Sequence, residues 1–248
     1  MASLISHRGG TFTTMFIRRC STSANIFGGG HRCDDWLLEP TLDRALRHVP
    51  LSRQASVRRE HLHNFKMAVR GRRGPNPPHI ETENDWWALG QHYGLHSPLL
   101  DWTNSPFVAA YFAFANQGTP QTARRAVFAV NPRWLRWKSN KIREATPQNA
   151  KPTVIEEVRP LSDDNPRLVN QGGSFLRAPD NVDLETWVRT NFVEEKEEYV
   201  LMKITIPDKD RLMALRSLNR MNINHLSLFP DLTGASQFCN TDLVIKDY

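Results

Sequence analysis

An α+β domain, with a mixed sheet and surrounding helices, is what this sequence predicts, and three observations carry it. Stretches with apolar residues at helical spacing are dispersed among short apolar runs typical of strands. Those runs vary in length and do not alternate with helices as a regular βαβ array would. The chain has 248 residues, 40% of them apolar and 23% charged, enough for one domain with a substantial core.

In chain order, residues 1–24 read as a poorly ordered N-terminal leader. The first acidic residue is Asp34, and the start is rich in Ser, Thr and Arg, including Arg8, Arg18 and Arg19. Such a start is similar to an organelle transit peptide, but no apolar region with a small-residue cleavage site follows it, so secretion is not expected. Gly28-Gly29-Gly30 marks a tight turn or a close backbone approach. A helix is predicted over 53–70, from Leu62, Phe65 and Val69, and the breaker-rich run 71–78 ends it. The next helix, 84–93, takes Asn84 or Asp85 as its cap, turns Trp86, Leu89 and Tyr93 inward, and stops at Gly94.

Ser97-Pro98 opens an extended piece through Asp101. Ser105-Pro106 reads as N-cap and first-turn proline of a helix buried along Val108, Tyr111, Phe112 and Ala115. Ala126–Val130 is a short strand, followed by a basic connection carrying Trp134 and Trp137. Strands are also expected at 153–158 and 199–206, the latter stopped by Pro207. Asp208 is expected to cap a helix over 209–219 with Leu212, Leu215 and Leu218 inward. Leu226 to Pro230 then packs back on the core.

No run of 18 apolar residues exists, so no membrane span is expected. The formal charge of +6 suits an anionic ligand or a polyanionic partner. Basic clusters at Arg58-Arg59 and at Arg70, Arg72 and Arg73 would grip phosphates, or would simply form solvated faces. Cys20, Cys33 and Cys239 have no paired spacing, which argues against disulfides or a metal site and fits a reduced, cytoplasmic setting.

The richest segment is 85–115. It places Gln91, His92, Tyr93, Asp101, Trp102, Thr103 and Ser105 ahead of a very apolar helix. A carboxylate beside an indole would orient a ribose hydroxyl while the ring stacks on a base; as a local alternative, Asp101 and Thr103 cap turns and Trp102 fills core. His92 would bond a ligand or carry a proton, and Tyr93 would stack. Gln171, next to Gly172 and Gly173, would approach a ligand closely, and Arg167 would pair with a phosphate. Glu194, Glu195, Glu197 and Glu198 around Lys196 read as a solvated face.

The run Gln91-His92-Tyr93-Gly94, Leu99-Leu100-Asp101-Trp102-Thr103, Ser105-Pro106 and Ala109 to Ala113 resembles the central signature of the FRG domain family. Residues 165–175 and 223–234 resemble two later elements of that family, extending the likeness over an FRG-like domain at 25–248. The family's Phe-Arg-Gly motif would fall at Phe27, but Gly28 stands where its arginine belongs; Arg32, a few residues on, is the candidate to replace it. The order of elements also resembles NAD-dependent ADP-ribosyltransferases, with Asp101 to Ser105 at the middle element and Gln171 at a late position. The resemblance implies a nucleotide-like ligand and NAD as substrate; no metal is expected, because no carboxylate constellation with metal spacing stands out. Asp101, His92 and Gln171 would be catalytic, with Tyr93, Trp102, Thr103, Ser105, Arg167 and Phe27 around the ligand. The competing expectation is a non-catalytic module that binds nucleic acid or a protein through the basic clusters and Trp134/Trp137.

Overall fold

Alternation along the strands decides which face each residue serves. The computed structural model describes residues 27–160, 166–193 and 199–248. The leader 1–24 and the acidic run 194–198 lie outside the described residues. Six strands form one sheet: β1 (Phe27–His31), β2 (Leu99–Thr103), β3 (Arg124–Val130), β4 (Glu156–Val158), β5 (Gly173–Arg177) and β6 (Leu201–Pro207). Their spatial order is β4-β5-β2-β1-β3-β6. The α+β class is as expected, but the sheet is antiparallel at every pairing rather than mixed.

The helices are α1 (Thr41–Ala45), α2 (Leu51–Ala68), α3 (Glu83–His92), α4 (Pro106–Ala115), α5 (Pro132–Ala145), α6 (Pro166–Asn170), α7 (Leu184–Asn191), α8 (Arg211–Arg220), α9 (His225–Leu228) and α10 (Leu232–Val244). On the back of the sheet, Leu100, Trp102, Phe128 and Leu176 pack with Leu135 of α5 and Leu184 and Trp187 of α7. The front carries two separate clusters. Val127, Ala129 and Ile204 meet α4, Leu215 and Leu218 of α8, and Leu228 of α9. Leu99, Phe175 and Val158 meet Leu42 of α1, Leu46 just after it, Leu62 of α2 and Trp87 of α3.

α4 begins as its sequence dictates: Ser105 Oγ accepts from Val108 N at 3.3 Å, with Pro106 in the first turn. Its tightest face is not the expected line of Val108, Tyr111, Phe112 and Ala115. Ala109 and Ala113 are sealed against β1, while Phe112 and Ala115 are half-buried. The reason is the glycine strand. A Cβ at Gly28 would stand 2.8 Å from Ala109 Cβ, and one at Gly30 2.1 Å from the Ala109 carbonyl oxygen. Small residues on both partners let helix and strand backbones meet.

Other departures have local causes. Thr82, not Asn84 or Asp85, caps α3, accepting from Asp85 N at 3.1 Å, and Trp87 rather than Trp86 is the buried indole. The Trp134/Trp137 stretch is helical, capped by Asn131. The 153–158 strand shrinks to Glu156–Val158. Asp208 does not cap α8. It pairs at 2.5 Å with the fully buried Arg125, whose guanidinium also donates to the Ala113 carbonyl in the last turn of α4 and to the Asn116 and Gly118 carbonyls just beyond it. Leu212 and Leu226 are exposed, whereas Leu215, Leu218 and Leu228 are buried. Arg58 is withdrawn from its basic cluster into a buried ion pair with Asp43 at 2.6 Å. No helix among the described residues is long and apolar enough to cross a membrane.

Candidate functional site

The two front clusters part over β2, and the gap is a cavity of about 630 Å³. A second feature deepens it. β1 and β2 share one register pair, Gly28 opposite Thr103, whereas β1–β3 and β2–β5 each share five. Beyond that pair the sheet opens, and both lips of the opening, Gly29 to His31 and Leu99 to Asp101, line the cavity.

Asp101 is the one exposed residue of β2. Its side chain opens on the cavity while protein surrounds it on the remaining sides. This desolvation raises its carboxyl from the ordinary 3.8 to about 6, and a hydrogen bond from Gln91 opposes the rise. The amide is oriented by a short relay. Leu99 N donates to Ser97 Oγ at 3.1 Å, and the Ser97 hydroxyl donates to Gln91 Oε1, leaving the Gln91 NH2 for the carboxylate. Replacing Gln91 with Leu removes the only opposing influence. The Asp101 carboxyl should then titrate above about 6, as read from its carboxyl carbon resonance across pH. An unmoved or lower value would contradict the relay.

His92 ends α3 at the cavity wall and faces the Arg167–Asp231 ion pair. Desolvation first, then the Arg167 cation, lower its pKa, and Asp231 opposes them. Arg167 donates from Nε to Asp231 Oδ2 at 2.7 Å and lies 5.3 Å over the Phe229 ring. Gln171 also borders the cavity; its Nε2 donates to the Leu228 carbonyl at 3.2 Å, and its own carbonyl accepts from Thr103 Oγ1 at 2.6 Å. The structure therefore brings Asp101, His92, Gln171 and Arg167 to one hollow.

Of the other expected ligand contacts, Trp102 and Thr103 border the cavity, and Phe27, Tyr93 and Ser105 do not. Phe27 is a back-core residue, with Arg159 5.5 Å over its ring. Trp102 borders the cavity but sends its indole into the back core, because alternation along β2 places it opposite Asp101. Thr103 is buried and accepts from Ser105 N at 3.0 Å, and Ser105 is the α4 cap. Tyr93 is 71% exposed, edge-on to His92 and outside the cavity lining. Arg32 does not fill the place of the motif arginine. It bonds Asn116 Oδ1 at 3.2 Å and stacks on Trp36, away from the cavity.

Sequence reasoning left out Gln91, Arg44, Phe112 and Phe229 as site residues, and all four line the cavity. Gln91 and Phe229 had a signal, since each sits in a stretch with family resemblance. Arg44 had none. No group of His, Cys, Asp and Glu among the described residues could hold a metal ion.

A family model described as FRG domain matches residues 23–122. That segment runs from β1 through α4 and holds Gln91, His92 and Asp101; Arg167, Gln171 and Phe229 fall beyond it. No curated protein and no solved structure matches the chain. The matched segment, with its QHYG run at the end of α3 and its LLDWT run on β2, is similar to the FRG domain.

Proposed function

We propose that the cavity over β2 binds a nucleotide-like ligand, with NAD the first candidate, and that its chemistry is cleavage of the nicotinamide–ribose bond. The observation that carries this reading is Asp101, the one exposed side chain of β2, standing on the cavity floor with the Gln91 amide fixed beside it. A cavity of about 630 Å³ is in the range of small-molecule and cofactor sites. In this reading the carboxylate accepts a hydrogen bond from a ribose hydroxyl and faces the positive charge that develops on the ring. The C–N bond breaks with its electron pair leaving on nicotinamide. Water, or a nucleophile on a macromolecule, adds to the ribose carbon, and the proton it loses passes to Asp101. A carboxyl near 6 is well matched to that transfer at neutral pH.

Thermal melting with NAD tests the binding. Ligand at about 100 times its Kd should stabilise the protein by about 2.7 kcal/mol, and nicotinamide should appear in the solution. No shift at millimolar NAD would overturn the reading.

A second reading, a non-catalytic nucleic-acid module, has its own supporting observation on α5. Trp137 is exposed, Lys141 Nζ lies 4.1 Å over its ring, and Arg133, Arg136 and Arg143 are exposed on the same helix. It requires salt-sensitive retention of nucleic acid and no response to NAD.

A further inference from the structure

The cavity is not the same at its two ends, and β2 gives it a direction. At the Thr103 end, the bond from Thr103 Oγ1 to the Gln171 carbonyl draws in the turn after α6. Arg167 is stacked there on Phe229, and Phe112 meets Phe229 edge-on at 6.1 Å. This end is aromatic, and its cation is already neutralised by Asp231. At the Leu99 end, Ser97 N donates to Thr41 Oγ1 at 3.0 Å and so holds α1 in place. α1 carries Arg44, which lines the cavity. Asp101 stands midway along a strand whose five residues span roughly 13 Å.

Arg44 differs from the other cations of the cavity. Its Nη1 donates to the Glu39 carbonyl at 2.8 Å, and no carboxylate of the described residues lies within ion-pair distance. Of the three histidines of the lining, His31, His92 and His96, two are pushed toward the neutral form. Burial lowers His31 to about 4, and desolvation also lowers His92. Among the described residues, Arg44 is thus a lining guanidinium with no carboxylate in ion-pair distance, at one end of the cavity, whereas Arg167 at the other end is paired with Asp231.

We infer that the cavity takes a phosphorylated nucleoside in one orientation, its planar base against Phe112 and Phe229, its ribose at Asp101 and its phosphate at Arg44. Aromatic pair, carboxylate and guanidinium follow one another along β2 in the order base, ribose and phosphate. A guanidinium can give a phosphate two parallel charge-assisted bonds, and a lysine cannot. The inference rests on the nucleotide reading above and adds to it a phosphate subsite and a direction.

The test is calorimetric titration at fixed low salt, with carbocyclic nicotinamide mononucleotide and carbocyclic nicotinamide riboside. Both lack the furanose oxygen and so resist cleavage, and they differ by one phosphate. The unaltered protein should bind the mononucleotide about tenfold or more tightly than the riboside. Arg44→Ala should abolish that gap while leaving the riboside affinity unchanged, and Arg44→Lys should keep part of it. A gap that persists in Arg44→Ala, or an equal loss for both probes, would overturn the phosphate subsite and leave nucleotide binding intact. If the unaltered protein binds neither probe nor NAD, the nucleotide reading itself fails and the subsite falls with it.

Discussion

Asp101→Asn is expected to lower NAD cleavage by about 10²- to 10⁴-fold while making the protein more stable at neutral pH. The loss follows from chemistry. An Asn amide still accepts a hydrogen bond from a hydroxyl, but it carries no charge to face the developing cation and cannot take the proton that water releases. For the same reason, kcat/KM of the unaltered protein should climb as pH rises through about 6, where the carboxyl ionises.

The gain in stability follows from linkage. The folded carboxyl holds its proton up to about 6, against 3.8 ordinarily, so its favourable contribution is complete below 3.8 and is lost as pH rises through about 6. A sealed carboxyl would give up about 3 kcal/mol over that interval. Asp101 opens on the cavity, and solvent screening reduces the figure to about 1 kcal/mol, or roughly 2–4 °C in Tm for a domain of this size. The variant's Tm relative to the unaltered protein should therefore rise between pH 4 and pH 7. Melts that keep the same offset at both pH values, or full NAD cleavage by the variant, would sink the assignment of Asp101 as a desolvated site carboxylate.

Gly30→Ala is expected to cost about 3 kcal/mol or more, a fall of roughly 6–12 °C in Tm. The added Cβ would stand 2.1 Å from the Ala109 carbonyl oxygen and 2.6 Å from Ala113 N. Both are helix backbone, so no rotamer change relieves the clash, and α4 must lift from β1. Gly29→Ala is the internal control. Its Cβ faces the back of the sheet and meets the Trp102 ring at 3.5 Å, an ordinary contact. Urea or thermal melts of the pair should separate them clearly, and equal effects would mean that the glycine strand is needed for its backbone conformation rather than for the approach of α4. The same geometry applies at Gly28, the position that the sequence resemblance would give to the Phe-Arg-Gly arginine. A Cβ at Gly28 would press on Ala109 Cβ at 2.8 Å, so this chain has no room there for an arginine.

Local pattern was enough for several features. Ser105-Pro106 set the start of α4, the apolar runs 126–130 and 199–206 fell within β3 and across β6, and the QHYG and LLDWT residues marked the family segment. Each depends on neighbours a few positions apart, through caps, proline and side-chain alternation, and such signals survive in a bare sequence. Alternation in LLDWT also separates Asp101 from Trp102, although the neighbouring pair reads in sequence as one site.

What only the tertiary structure decided depends on partners far apart in the chain. Thr103 meets the Gln171 carbonyl across 68 positions, and Arg125 meets Asp208 across 83. Gly28 and Gly30 are a turn signal until α4 lies against them, and Arg44 is one of many surface arginines until Ser97 holds α1 at the end of β2. The parting of β1 from β2, the cavity beneath the divided front clusters and the raised Asp101 carboxyl all arise from that assembly. Burial and charge are properties of what surrounds a group in space, and chain order alone does not specify those surroundings.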